Sequence, residues 1–154
     1  MKVFFTGSTG FVGKQILHDL LEKKYQVRCI VRQGSEQKIA QNKEVETVNG
    51  DITDADSLQG KLTGCDAVIN LVGIIREFPG KKITFEKLHY EGTAHLVKAA
   101  REQGIRRFIQ MSALGARRDG KTQYQQTKFR AEECVRNSGL DYTIFRPSII
   151  YGAG

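Results

Sequence analysis

Gly7-Ser8-Thr9-Gly10-Phe11-Val12-Gly13 follows the apolar run Val3-Phe4-Phe5 directly and opens a stretch in which Val12, Ile16 and Leu20 recur every four residues. Leu17 and Leu21 widen that stripe, so the loop joins a strand (Lys2 to Thr6) to an amphipathic helix. Glycines spaced three apart are common wherever chains turn. Between a strand and a helix they have a specific physical use. Gly7 permits the tight turn, Gly10 lets the backbone approach a pyrophosphate, and Gly13 allows close packing of helix on strand. The free N–H groups of the helix start then face the phosphate charge. Ser8, Thr9, Phe11 and Val12 complete the candidate cofactor-binding loop.

Outward from this loop, apolar runs alternate with helical patterns and leave little between them, which is the rhythm of βαβ units on a parallel sheet. Strands are expected at Lys2 to Thr6, Gln26 to Val31, Val45 to Asn49, Ala67 to Val72, Arg107 to Ser112 and Tyr142 to Arg146. A long helix is expected from Thr84 to Gln103, with Phe85, Leu88, Leu96, Val97, Ala99 and Ala100 inward and Gly104 ending it. A short helix should begin at Asp54-Ala55-Asp56-Ser57, and another should run from Gln123 to Asn137. Six strands in this order predict the doubly wound arrangement 3-2-1-4-5-6 in a three-layer α/β/α Rossmann fold. No repeat, linker or low-complexity tract divides it, so residues 1–154 are expected to form one NAD(P)-binding domain.

With 154 residues, 40% of them hydrophobic and 27% charged, the chain has enough material for one packed core. The most apolar stretch, Cys65 to Ile75, contains Asp66 and Asn70 and falls short of the roughly 18 residues of a membrane span. The N-terminus has too few apolar residues for a signal peptide and reads as a strand. Cys29, Cys65 and Cys134 show no metal-ligand spacing, which suits reduced thiols and a cytoplasmic setting. The net charge of +7 suits an acidic partner, but its basic residues form short scattered clusters with no aromatic-interleaved stripe. Nucleic-acid binding is therefore disfavoured.

The end of the second strand separates two cofactors. NAD sites commonly place an Asp or Glu there to accept hydrogen bonds from the adenosine ribose. This chain has Ile30-Val31-Arg32-Gln33. Arg32 offers a guanidinium to a 2′-phosphate, a charge-assisted contact worth on the order of 1.5–3 kcal/mol, and Lys38 is near enough in sequence to add to it. NADP(H) is the preferred expectation, with NAD(H) possible and a solvent-exposed arginine the plainer alternative.

Four further segments carry a family resemblance: Gly50-Asp51-Ile52, Asn70-Leu71-Val72-Gly73, Tyr124-Gln125-Gln126-Thr127-Lys128 and Arg146-Pro147-Ser148 with Tyr151-Gly152. Together with the glycine loop, they make the chain resemble the short-chain dehydrogenase/reductase superfamily over its whole length. The match is to the extended and atypical branches that include NAD(P)-dependent epimerases and dehydratases. Ala67 to Ile74 and Met111-Ser112-Ala113-Leu114-Gly115-Ala116 look more narrowly like the NADPH-binding accessory subunit of respiratory complex I and its bacterial relatives.

The resemblance implies that Asp51 and Ile52 flank the adenine, that Val72 and Gly73 line the nicotinamide-side ribose with Leu71 also in the cofactor site, and that Pro147 and Ser148 lie near the nicotinamide amide. Asp51 has an alternative as a turn residue. Tyr124 and Lys128, four apart on a helix, share a face, so the ammonium is expected to stabilise the phenolate and lower its pKa. Tyr124 then serves as acid or base beside the nicotinamide, Lys128 also holds the ribose, and Ser112 hydrogen-bonds the substrate oxygen.

Two features depart from the family pattern. His89 stands where an Asn usually precedes the Gly92-Thr93 pair by three residues, and it reads equally as a water relay or as a helix residue with a satisfied ring. Extended members also continue beyond the position of Gly154 into a substrate-binding part, so the chain is expected to stop before it.

Two functions remain open on these residues. One is an NADP-dependent oxidoreductase, epimerase or dehydratase acting through Tyr124, Lys128 and Ser112 on an unidentified small molecule. The other is a non-catalytic NADPH-binding structural or assembly protein of the complex I type, in which the Tyr/Lys pair is inherited. A homodimer and association with a larger complex both stay open.

Overall fold

The structure, a computed structural model, describes residues 1–39 and 41–152. β1 (Lys2–Thr6) is buried along Val3, Phe4, Phe5 and Thr6, as a central parallel strand covered on both faces must be. It pairs in parallel with β2 (Gln26–Val31) on one side and β4 (Ala67–Asn70) on the other. β3 (Val45–Asn49) extends the β2 side, and β5 (Arg107–Met111) and β6 (Asp141–Phe145) extend the β4 side. The order is β3-β2-β1-β4-β5-β6, as expected from the sequence.

Alternation along β1 divides the core into two layers. Val3 and Phe5 join Leu17 of α1 (Phe11–Glu22), Val27, Cys29 and Ile69 on one face. Phe4 joins Val68 and Phe108 on the other. Leu96 of α2 (Gly92–Glu102) and Val135 of α3 (Gln123–Arg136) cover that second face. The architecture is a three-layer α/β/α Rossmann fold. Cys29 and Cys65 are buried, Cys134 is half-buried, and all three are free thiols. Among the described residues, no helix is long and apolar enough to cross a membrane.

The differences from expectation lie at element ends. β4 stops at Asn70, two residues early, because the Asn70 Oδ1 accepts the Val72 N–H at 3.2 Å and draws the chain out of the ladder. β5 stops at Met111, and β6 is shifted by one residue. The expected helix at Asp54 is a three-residue 3-10 turn, Asp56–Leu58, whose first N–H is taken by the Asp54 carboxylate at 3.1 Å. The long helix from Thr84 is interrupted: Glu86–Glu91 forms one π-helical turn before α2 begins, leaving Phe85 and Leu88 half-buried. Gly104, at φ 79°, ends α2 as expected, with the Ile105 N–H returning to the Ala100 carbonyl at 2.9 Å.

Candidate cofactor cleft and active site

All six strands point their carboxyl ends at one edge, where a doubly wound sheet opens a crevice between β1 and β4. A cleft of about 350 Å³ lies there. One wall is the glycine loop, through Thr6, Gly7, Thr9 and Gly10, and a second is the β2 exit, through Ile30, Val31 and Arg32. Gly50, Asp51 and Ile52 after β3 form the third, and Leu71, Val72, Gly73 and Ile74 after β4 form a lip. Phe78, Ile83 and Leu88 roof it, Phe78 and Ile83 being joined by a two-way backbone bridge. Thus Gly7, Thr9, Gly10, Arg32, Asp51, Ile52, Leu71, Val72 and Gly73 are brought together as the sequence predicts.

Each glycine of the loop has its own steric position. Gly7 has φ 79°, and a Cβ there would meet the Leu71 carbonyl carbon at 3.0 Å. A Cβ on Gly13 would fall 2.0 Å from the Gly7 carbonyl oxygen, so α1 packs onto the loop's own backbone. Gly10 is the open position, its Cβ meeting only the Gly7 oxygen at 3.3 Å. Gly10 also N-caps α1 without a side-chain cap or an acidic residue in the first turn. The first helical bond runs from Lys14 N–H to the Gly10 carbonyl at 3.0 Å, so the N–H groups of Phe11, Val12 and Gly13 precede it. An uncapped, positively polarised helix start beside a Cβ-free approach fits a pyrophosphate. Ser8 does not line the cleft; it is buried beneath the loop, its hydroxyl against the Cys29 thiol. Phe11 is exposed beside it.

At the adenosine end Arg32 and Lys38 are exposed, and with Ser35, which sequence reasoning passed over, they line the cleft. Asp51 shows the geometry of a turn residue at the cleft wall. It borders the cleft, and its Oδ1 accepts from Thr53 N–H at 2.9 Å and Thr53 Oγ1 at 2.8 Å as a turn residue does.

At the other end stands α3, N-capped by Thr122, whose Oγ1 accepts the Gln125 N–H at 3.3 Å. Lys128 is buried, and its Nζ would be 2.9 Å from a Cβ on Gly73, which places the ammonium against the cleft lip. It donates to the Met111 carbonyl at 3.3 Å, and burial lowers its pKa to about 8 despite the Glu132 carboxylate one turn on. Burial pushes the Tyr124 phenol above its ordinary value. The expected lowering by Lys128 is therefore not met in this arrangement, in which the ammonium is turned toward Met111 and Gly73.

Ser112 is also placed otherwise than a substrate-facing hydroxyl requires. Its Oγ is sealed from solvent and turned to the buried Glu132 carboxylate, and its residue does not line the cleft. Pro147 is half-buried and Ser148 exposed, beyond the β6 exit; the Pro147 carbonyl accepts the Leu114 N–H, after β5, at 2.8 Å.

Two polar networks support these groups and were not legible beforehand. Thr6 Oγ1 donates to Asn70 Oδ1 at 2.7 Å, Asn70 Nδ2 donates to Gln110 Oε1 at 2.9 Å, and Gln110 Nε2 donates to the Met111 carbonyl that also receives Lys128. The signal available was Gln110, a polar residue inside an apolar strand run. Behind α3, the fully buried Glu132 accepts from Arg146 Nε at 2.8 Å and Nη2 at 2.6 Å, and from Arg136 Nη2 at 2.8 Å. Burial pushes its carboxyl up, and these hydrogen bonds outweigh that and hold it below the ordinary value.

Comparison with known proteins agrees with this geometry. The family model described as NAD(P)H-binding matches residues 7–152. A ceramide reductase of Caulobacter vibrioides is 32% identical over 99% of this chain and 47% of its own. Subunit 9 of the NADH dehydrogenase [ubiquinone] 1 alpha subcomplex of Arabidopsis thaliana is 33% identical over 95% of this chain and 37% of its own. The chain thus spans about half the length, or less, of these curated relatives. The crystal structure of the oxidoreductase ylbE from Lactococcus lactis superposes with a TM-score of 0.80, at 30% identity, over 96% of this chain and 68% of that one. The chain belongs to the NAD(P)H-binding family of Rossmann-fold proteins and is related to the complex I accessory subunit.

Proposed function

We propose that this domain binds NADP(H) in the β1/β4 cleft and serves an oxidoreductase, epimerase or dehydratase in which Tyr124 exchanges a proton beside the nicotinamide. The observation that carries this is the continuity of the cleft. It runs from Arg32, Ser35 and Lys38, past the uncapped start of α1, to a lip against which Lys128 places its ammonium. In this reading Arg32 and Lys38 take the 2′-phosphate, and the Phe11 to Gly13 N–H groups take the pyrophosphate. Asp51 and Ile52 flank the adenine, and Lys128 holds the nicotinamide ribose. Bound there, the nicotinamide supplies or accepts hydride. Pro147 and Ser148 approach its amide.

The surface that orients a substrate is proposed to lie in chain outside residues 1–154, which the roughly doubled length of the relatives supports. A second reading, a cofactor-binding structural or assembly role, is favoured by one specific observation: neither a pKa-lowered Tyr124 nor an open Ser112 hydroxyl is present at the site. The relation to a complex I subunit points the same way.

Calorimetry with NADPH and NADH tests the cofactor assignment. Arg32→Ala should lose about 1–3 kcal/mol of NADPH affinity, roughly five- to a hundredfold, and bind NADH nearly as the parent does. Equal parental affinities for the two nucleotides would contradict the NADP preference.

A further inference from the structure

The π-helical turn Glu86–Glu91 carries one buried residue, His89, which is 1% exposed. Such turns add a residue to the helical repeat and re-aim one side chain, and they occur frequently at functional sites. Here the turn aims an imidazole between two segments that the cofactor reading uses. His89 Nδ1 is 3.0 Å from Thr127 Oγ1, and Nε2 is 3.1 Å from both the Ile74 nitrogen and the Ile74 oxygen. Thr127 has one hydroxyl proton, and it is directed to the Gln123 carbonyl at 2.8 Å. With that proton so placed, the assignment taken in this inference has the Thr127 oxygen accepting from His89 Nδ1–H and Nε2 accepting the Ile74 N–H.

Burial, and then the charge of Lys128, lower the imidazole pKa to about 3, so the ring is neutral at physiological pH. Its faces are occupied as well. Phe85 stacks on it at 5.3 Å between centroids, and Tyr124 meets it edge-on at 5.3 Å. A ring with both nitrogens engaged and no charge to give is poorly suited to relay protons. It does tie the lip to α3.

We propose that His89 is a positioning residue that sets the spacing between the Gly73–Ile74 lip and the Tyr124/Lys128 face of α3, and thereby the grip on the nicotinamide half of NADP(H). The lip is then pinned at both ends, at Val72 N–H by Asn70 and at Ile74 N–H by His89. The proposal rests on the NADP(H) reading of the cleft, and its test separates the two.

Two probes are titrated: NADPH, and adenosine 2′,5′-bisphosphate, which has the adenosine and 2′-phosphate but no nicotinamide ribose. His89→Leu, which keeps apolar bulk and removes both hydrogen bonds, should weaken NADPH about tenfold and change the bisphosphate by less than about twofold. Thr127→Val, an isosteric removal of the other anchor, should give a smaller loss with the same asymmetry, and carries the test if His89→Leu does not fold. Equal losses for the two probes would reveal a general structural role and overturn the proposal, as would unchanged binding of both. A parent that binds neither probe would overturn the cofactor reading and this inference with it. Independently of any ligand, long-range ¹H–¹⁵N spectra at pH 6 should show His89 as the neutral Nδ1–H tautomer. An imidazolium, or a proton on Nε2, would contradict the assignment.

Discussion

Lys128 places an ammonium in a buried position, with a carbonyl oxygen and a nearby carboxylate in place of water, and this has a measurable pH signature. Its pKa is about 8 in the folded chain against 10.5 for the free side chain. Below pH 8 the group is protonated in both states and its burial cost is present in full. Between about 8 and 10.5 only the unfolded chain keeps the proton, so this group's contribution to stability rises with pH across that window. Lys128→Met removes the cost at every pH. The melting-temperature gap between variant and parent should therefore narrow from pH 8 to pH 10, and a gap independent of pH would show that Lys128 is not a buried ammonium. Tyr124 has the opposite character, its phenol kept protonated by burial. If the enzymatic reading holds, Tyr124→Phe in the full-length protein lowers turnover by about two to four orders of magnitude with little change in NADPH affinity. Activity that survives unchanged would favour the structural role.

Elements show where sequence reasoning reaches and where it stops. The six strands and the glycine loop were legible because short apolar runs and a strand–loop–helix context are local properties. The β4 end, the π-helical turn and the position of Ser112 were not, because each depends on a partner distant in sequence: Asn70 capping Val72 after pairing with Gln110, His89 reaching Ile74 and Thr127, and Ser112 packed behind the β5 exit. The residues that line the cleft were largely readable and the arrangement at α3 much less so, since face-sharing on a helix says nothing about which way Lys128 turns. Within the loop, two glycines should separate stability from binding. Gly13→Ala puts a methyl 2.0 Å from a backbone oxygen and should destabilise the fold by about 1–3 kcal/mol. Gly10→Ala meets only the Gly7 oxygen at 3.3 Å, so it should fold nearly as the parent does while binding NADPH less tightly. Denaturant melts and calorimetry of both variants check this, and matching behaviour would remove the distinct roles given to the two positions.

At the scale of the whole molecule, the parallel sheet gathers the loops that line the cleft at one edge. The glycine loop and the cations Arg32 and Lys38 lie on the cleft side, and Lys128 and Tyr124 stand beyond the lip. The same edge exposes Ile75, Leu114, Ile149 and Tyr151. In the proposed function, phosphate recognition falls at the β2 and β1 exits and proton chemistry at α3, with the Gly73–Ile74 lip between them. The central claim is that one NADP(H) molecule spans this distance. A crystal structure of the chain saturated with NADPH tests it most directly. It should show a 2′-phosphate between Arg32 and Lys38, a pyrophosphate against the N–H groups of Phe11 to Gly13, and the nicotinamide ribose within hydrogen-bond reach of Lys128. A nucleotide bound elsewhere, or one whose ribose lies away from Lys128, would contradict it.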